Sequence, residues 1–244
     1  QEQNSYAGVT NKLLAQKAGK ICVAYEGMEK YFPKNKIVLT GNPVRLAFDN
    51  LGSLRAEALE HFKLDSSLPV ILVLGGSLGA GTINSSVGGG IGPVEEAGAQ
   101  MIWQTGNHYY DRMRELTEAA ATNNIRVTGF ISRMDMAYAA ADIIISRAGA
   151  ATISELALVG KPVILVPSPN VAEDHQTHNA MALVTREAAV LVTDAAAPAE
   201  LITTALALLK DGARREKLSG NIRKLAIRDA ADVIATEVLK LVSR

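Results

Sequence analysis

A short glycine-rich segment of this 244-residue chain could bind an anion. The apolar run Val70–Leu74 leads directly into Gly75-Gly76-Ser77-Leu78-Gly79. Glycine lets backbone amides approach a negative group, and a following helix presents its partly positive end. No Gly-Lys-Ser/Thr follows, and the spacing is not that of a dinucleotide fingerprint. The segment therefore indicates either a phosphate site or an ordinary tight turn between strand and helix.

A second strand-to-helix turn has the same character. Ile143–Ser146 is followed by Arg147 and the small residues Ala148-Gly149-Ala150-Ala151, then by Thr152, Ser154 and Glu155. Hydroxyls and unpaired amides in a first helical turn suit a phosphate, and a carboxylate suits a ribose diol because it accepts two hydrogen bonds. The alternative is structural, with Thr152 capping the helix and Glu155 balancing its dipole.

A third polar segment, Pro167–Asn179, follows another apolar run. Its density of acceptors and amides suits a polyhydroxyl ligand such as a sugar, although Asn170 or Asp174 could simply cap the next helix. His175 and His178 are three residues apart, a spacing that zinc can use. No third ligand accompanies them, and we predict no metal site.

Strands that are apolar on both faces alternate with amphipathic stretches along the chain, which predicts an α/β fold with a Rossmann-like, doubly wound parallel sheet. The predicted strands are 21–25, 36–40, 70–75, 100–104, 125–129, 142–146, 162–166 and 190–193. The predicted helices are 7–18, 54–62, 80–86, 109–121, 135–141, 152–159, 175–186, 198–209, 214–227 and 230–242.

Composition excludes several classes of protein. Lys and Arg number 25 and so do Asp and Glu, so a broad attraction to nucleic acid is not indicated. No apolar run approaches the roughly 20 residues of a spanning helix. The single cysteine, Cys22, allows no internal disulfide and fits a reducing cytoplasm.

Single residues and short runs give further expectations. Gly88–Gly92 interrupts a helical pattern and predicts a flexible loop. His61 and His108 lie in polar segments and should be solvated, whereas Trp103, Tyr109 and Tyr110 should be packing residues.

We predict a domain boundary at Gly41–Arg45, where a breaker pair follows a strand. The residues before it are too few for a core of their own. Since the chain also begins at Gln1 without a methionine, we expect residues 1–41 to be the end of a domain whose beginning is absent.

Five motifs stand in one order: Gln3-Asn4, Gly41–Arg45, Gly75–Ala80, Arg147–Glu155 and Glu173–Asn179. Together they resemble the MurG family of N-acetylglucosaminyltransferases along the whole chain. The resemblance implies a GT-B fold, in which two Rossmann-like halves face each other across a cleft. Residues 1–41 would be a remnant of the acceptor half, and residues 42–228 would bind UDP-N-acetylglucosamine. The helix in 229–244 would pack back toward the first half.

The resemblance also implies roles for single residues. Arg45 and Ile131 would frame the uracil, and Glu155 would bind the ribose. Gln176, with His175 beside it, would read the sugar hydroxyls. The remaining residues that the resemblance assigns to the substrate are Asn4, Gly76, Ser77, Ala150, Ala151, Thr152, Ile153, Ser154 and Asn179.

The activity implied is inverting transfer of N-acetylglucosamine from the UDP donor to the C4 hydroxyl of lipid I, without metal or cofactor. The enzyme would sit peripherally on the cytoplasmic face of the bacterial inner membrane. The family's N-terminal glycine-rich loops, with the histidine offered as base, have no counterpart here, so the catalytic residue is unknown and this chain alone should be inactive. Ala148 and His175 also depart from residues common in the family. The alternatives are an inert UDP-sugar-binding fragment and a UDP-sugar 2-epimerase.

Overall fold

A computed structural model describes residues 1–44, 48, 50–76 and 78–242, with the side chain of Val242 left out. Two residues with predicted roles, Arg45 and Ser77, lie outside the described residues. None of the helices that the structure describes is long and apolar enough to cross a membrane.

The main sheet has six parallel strands in the order β5-β4-β3-β6-β7-β8. This is the doubly wound order, in which the chain moves outward from the centre in one direction and then in the other. The predicted fold class is confirmed. The strands are β1 Ile21–Val23, β2 Ile37–Leu39, β3 Val70–Leu74, β4 Gln100–Gln104, β5 Ile125–Thr128, β6 Ile143–Ser146, β7 Val163–Leu165 and β8 Val190–Leu191.

Helices cover both faces of this sheet. Side chains of β3 alternate between two cores: Leu72 packs in the core under α2, α6, α7 and α8, and Ile71 packs in the core under α3, α5 and α9. The helices are α1 Val9–Leu14, α2 Arg55–His61, α3 Gly81–Gly89, α4 Ile91–Glu96, α5 Tyr110–Ala119, α6 Met134–Ala140, α7 Ala150–Val159, α8 His175–Val184, α9 Ala197–Lys210, α10 Gly212–Arg223 and α11 Ala230–Val242.

The prediction of a flexible loop at Gly88–Gly92 is wrong. Helix α3 continues to Gly89, and α4 begins at Ile91. A Cβ on Gly90 would stand 2.3 Å from Cγ1 of Ile202 in α9, so the glycine permits close helix packing. As predicted, His61 and His108 are exposed.

Residues 1–41 form a small unit beside the main sheet. Strands β1 and β2 pair in parallel, and Glu2 extends the pairing at Val23. The buried Glu2 carboxylate accepts hydrogen bonds from the Gly8 amide at 3.0 Å and from Asn11 Nδ2 at 2.9 Å. Leu241 of α11 lies 3.6 Å from the position that a Cβ on Gly19 would take. The domain boundaries themselves stay a prediction.

Candidate ligand-binding cleft

A cleft of about 960 Å³ opens at the carboxyl ends of β3 and β6. The chain that follows β3 adds strands on one side of this central pair, and the chain that follows β6 adds them on the other side. Open α/β sheets bind ligands at such a switch point. Five residues singled out from the sequence line the cleft: Gly76, Ile131, Ala151, Thr152 and Glu155.

The amino-terminal end of α7 contributes unpaired backbone amides. Gly149 is the N-cap, and no described side chain caps the helix. Since the Ile153 amide donates to the Gly149 carbonyl at 2.9 Å, the amides of Ala150, Ala151 and Thr152 have no helical partner. This end of the helix can therefore hold an anion, and the alternative of a capping Thr152 fails.

Ile153 and Ser154 do not line the cleft, and their contact with a ligand stays a prediction. Ile153 is buried, and both residues line a separate cavity of about 190 Å³. The Ser154 hydroxyl accepts a hydrogen bond from Asn42 Nδ2 at 3.1 Å. Because the Ile153 amide is used in the helix, the amides without a helical partner end at Thr152.

Glu155 lies in the second turn of α7, and a neighbouring helix contacts its carboxylate. The hydroxyl of Tyr138 in α6 donates a hydrogen bond to the Glu155 carboxylate. Burial, and next the nearby carboxylate, raise the pKa of Tyr138 well above its ordinary value, so the hydroxyl stays protonated. Tyr138 itself packs edge-on against Phe48, with ring centroids 5.2 Å apart. The carboxylate is thus fixed at the wall of the cleft.

Contacts within the protein occupy much of the glycine-rich turn after β3, as the alternative of an ordinary tight turn predicts. The Gln104 side chain occupies both polar groups of Gly76: it accepts from the amide at 3.1 Å and donates to the carbonyl at 3.0 Å. A Cβ on Gly79 would stand 2.5 Å from both the Thr105 carbonyl oxygen and the Tyr109 ring. These glycines therefore allow the turn to pack against the end of β4.

Gln176 joins two loops at the rim of the cleft. Its Oε1 accepts hydrogen bonds from the amide of Ala148, at 3.2 Å, and from that of Ser168, at 2.9 Å. Beside it, Nε2 of His175 lies 3.6 Å from the Glu173 carboxylate, and Nδ1 is buried with no partner among the described residues. Neither residue lines the cleft as the chain stands.

Asn179 links the first residues of the chain to the turn after β6. It is fully buried and donates to the Asn4 side chain at 3.0 Å and to the Ala148 carbonyl at 3.2 Å. It accepts from the Ser5 amide at 2.9 Å. Asn4 therefore sits close to the turn that opens into the cleft, although it does not line the cleft itself.

The third polar segment holds neither a side-chain cap nor a described metal centre. Asp174 is the N-cap of α8 by position, but its side chain makes no capping hydrogen bond within the described residues. Across the described residues, no group of three His, Cys, Asp or Glu side chains could hold a metal ion. His178 stacks on Tyr6, with ring centroids 4.7 Å apart.

Comparison with known proteins identifies the domain. The pattern described as "Glycosyltransferase family 28 C-terminal domain" matches residues 70–234, which is more than half of the chain. The chain belongs to glycosyltransferase family 28. A relative from Parabacteroides distasonis is 55% identical over 244 residues, covering 100% of this chain and 66% of the relative. One from Flavobacterium psychrophilum is 50% identical, with 99% and 65% covered. Both are named UDP-N-acetylglucosamine–N-acetylmuramyl-(pentapeptide) pyrophosphoryl-undecaprenol N-acetylglucosamine transferase.

Solved structures agree with this family assignment. MurG of Acinetobacter baumannii superimposes with a TM-score of 0.77 at 28% identity, covering 98% of this chain and 65% of that one. The UDP-GlcNAc 2-epimerase of Neisseria meningitidis, bound to UDP-GlcNAc, gives a TM-score of 0.65 at 17% identity, covering 94% and 63%. The second likeness shows the fold alone. The chain thus spans about two thirds of the length of the relatives it matches.

This family 28 domain also places residues in the cleft that sequence reasoning missed: Phe48, Gln104, Phe130, Asp135, Tyr138 and Arg147. Phe130 is an exposed aromatic ring at the rim, 64% accessible. Arg133, hydrogen bonded to Asp135 at 2.7 Å, lowers the pKa of that carboxyl below its ordinary value.

Arg147 places a cation in the cleft wall. It belongs to the motif of the second turn, whose sequence alone does not indicate a role for it. Its guanidinium donates to the Val166 carbonyl at 3.0 Å and forms a close ion pair with Asp194. The other oxygen of Asp194 accepts from the Thr82 hydroxyl at 2.9 Å. Since Thr82 lies in the first turn of α3, these bonds connect the turn after β6 to the helix that follows the glycine-rich turn after β3.

Proposed function

We propose that this family 28 domain binds UDP-N-acetylglucosamine as the sugar donor. The single observation that carries the proposal is the uncapped start of α7, which opens into the cleft one turn before Glu155. Three unpaired amides and the helix dipole suit a diphosphate, and the carboxylate suits the ribose that follows it.

The cleft suggests a division of roles. The amides of Ala150, Ala151 and Thr152 would take the diphosphate, with Arg147 adding positive charge nearby. Ile131 would lie against the uracil, and Gln176 would reach the sugar with the Nε2 that its two accepted hydrogen bonds leave available. As UDP leaves, charge develops on the diphosphate, and oriented amides stabilise such charge without reorganising.

Calorimetric titration with UDP, ADP and GDP tests the donor site. We expect UDP to bind more tightly than either purine nucleotide, because the pocket around Ile131 would be shaped for the smaller base. Equal or tighter binding of ADP would contradict the assignment. A Thr152→Pro variant removes one of the three amides and should weaken UDP binding, while Thr203→Ala, on the exposed side of α9, should leave it unchanged.

We further propose that the whole protein transfers N-acetylglucosamine to the C4 hydroxyl of the N-acetylmuramoyl sugar of lipid I, as the names of its relatives imply. The acceptor hydroxyl would attack C1 of the donor with inversion while a base takes its proton and UDP leaves. We assign that base, the acceptor surface and the peripheral contact with the cytoplasmic face of the membrane to the part of the relatives that this chain does not span. A base contributes typically 10²- to 10⁴-fold, and acceptor positioning about 7–11 kcal/mol.

The chain alone should therefore transfer no detectable sugar. The assay is transfer of radiolabelled N-acetylglucosamine from its UDP donor to a short-chain lipid I analogue. The reference is a full-length relative, such as the Parabacteroides distasonis protein. A rate for this chain close to that of the reference would place the base within these 244 residues. It would also contradict the proposed division of labour.

A further inference from the structure

A further polar pocket lies at the amino ends of the strands, whereas the cleft lies at their carboxyl ends. It has a volume of about 320 Å³ and lies beside Asp142 and Lys161, immediately before β6 and β7. Helix α10 forms its other wall. The amino ends of these strands point away from the switch point, so a ligand here would not overlap a donor in the cleft.

Hydrogen-bond donors dominate the helical wall. Arg215, Ser219 and Arg223 are four residues apart along α10 and line the pocket together, because this spacing places them on one face of the helix. The beginning of α10 also borders the pocket through Gly212. A row of two guanidinium groups and a hydroxyl matches the several oxygens of a phosphoryl group.

The two arginines are not neutralised within the protein. Among the described residues, neither Arg215 nor Arg223 has an ion pair, and Nε of Arg215 is buried without any hydrogen-bond partner. Arg223 has a packing role as well, because its stem crosses the close backbone turn at Gly160. That packing does not account for Arg215, whose buried donor lacks an acceptor.

The carboxylates nearby do not supply this acceptor. Asp142 accepts from Arg55 at 3.0 Å and from the Val70 amide at 2.8 Å, so its charge is already shared. Glu216 also lines the pocket, but it is exposed to solvent. The net charge of the side chains that line the pocket is therefore positive.

Lys161 adds a third cation whose position is fixed. Its Nζ donates to the carbonyl of Ala141 and, at 3.4 Å, to that of Ala139, at the end of α6. Burial first, and then repulsion from Arg55 and Arg223, lower the pKa of Lys161 to about 8, although Asp142 opposes this shift. A bound anion would relieve this repulsion between like charges.

We propose that the pocket formed by Lys161, Arg215, Ser219 and Arg223 binds an oxyanion of the phosphate class. The ligand would accept hydrogen bonds from both guanidinium groups and from the serine hydroxyl. The proposal is independent of the donor site, since it rests on side chains at the amino ends of the strands.

Calorimetric titration of the 244-residue chain with inorganic phosphate, against chloride at equal ionic strength, tests the proposal. Phosphate should bind, and Arg215→Gln should weaken binding at least about tenfold, as the loss of a charge-assisted hydrogen bond requires. Arg214→Gln is the matched control, because Arg214 is exposed on the same helix and does not line the pocket. Thr203→Ala, on the exposed side of α9 and outside the pocket, should also leave phosphate binding unchanged.

Vesicles of phosphatidylglycerol, compared with phosphatidylcholine, identify the source of the phosphoryl group. Vesicle binding that is lost in Arg215→Gln and displaced by inorganic phosphate assigns the pocket to a lipid headgroup. Phosphate binding without vesicle binding assigns it to a soluble ligand. Absence of both, or equal losses in Arg214→Gln and Arg215→Gln, overturns the proposal. Thermal unfolding in chloride checks that each variant is folded.

Discussion

Replacing Glu155 separates its proposed contact with a ribose from its structural contact with Tyr138. In Glu155→Ala, both hydrogen bonds are lost together. A hydrogen bond to a charged group contributes about 1.5–3 kcal/mol, and each 1.4 kcal/mol is tenfold in affinity, so UDP should bind about 10- to 100-fold more weakly.

The alanine variant should also lose stability, for a reason that the structure supplies. The hydroxyl of Tyr138 is buried, since the whole residue is 1% accessible, and removal of its acceptor leaves it unpaired. An unsatisfied buried donor costs about 1–3 kcal/mol. Loss of a dipole interaction adds little, because Glu155 lies beyond the first turn of α7, where that effect fades.

Glu155→Gln resolves the two effects. The amide oxygen can still accept from Tyr138, so stability should fall by less than in the alanine variant. The charge is lost, and the difference between a charged and a neutral hydrogen bond, about 1 kcal/mol, predicts roughly fivefold weaker UDP binding. Tyr138→Phe is the complementary change: it keeps the carboxylate charge but removes the group that fixes its position.

The assays are calorimetric titration with UDP and urea unfolding of all three variants. If Glu155→Gln and Glu155→Ala bind UDP as tightly as the original chain, while only stability falls, then Glu155 is a structural residue of α7. The ribose contact would then be wrong, and the donor orientation inferred from it would have to be reversed or abandoned.

Three further changes probe the surroundings of the cleft. Gly79→Ala should lower the free energy of unfolding in urea by about 1–3 kcal/mol, because φ is +79° and the new Cβ would stand 2.5 Å from the Thr105 carbonyl oxygen. Gly92→Ala is the control and should not lower it, because nothing lies within 4 Å of the new Cβ. Asn179→Ala should increase hydrogen exchange in residues 1–14, and unchanged exchange would show that its hydrogen bonds do not hold that segment. The pKa of Lys161 is lowered from 10.5 to about 8 in the folded chain, so the unfolded chain binds more protons between these two pH values. The free energy of unfolding should therefore rise with pH across this range. Lys161→Met should flatten that rise, which the midpoints of urea unfolding would show.

The strands were predictable because each is a short apolar run bounded by breaker residues. All eight predicted strands occur, and β4 matches the predicted 100–104 at both ends. The starts of α7 and α8 were also indicated, because small and polar residues follow apolar runs there. Local pattern is sufficient for such elements, since a strand buried on both faces has little choice of residue type.

The features that the sequence did not reveal are those that depend on contacts between segments far apart in the chain. In place of the loop predicted at Gly88–Gly92, α3 and α4 meet at Gly90, and Ile202, far along the chain, packs closely against this glycine. Gln104 was missed because its partner Gly76 belongs to another turn, and only the order of β3 and β4 brings them together. A polar residue ending an otherwise apolar strand was the one available signal.

The central pairing of β3 with β6 has a consequence for the rates of folding and unfolding. Strands β3, β4 and β5 pair with sequential neighbours, as do β6, β7 and β8, whereas β3 and β6 meet only after the intervening chain has closed a long loop. Closing long loops slows folding, so we expect the two halves to join late. A ligand that contacts both turns gains its full interaction only after this step. UDP should therefore slow unfolding much more than it accelerates folding.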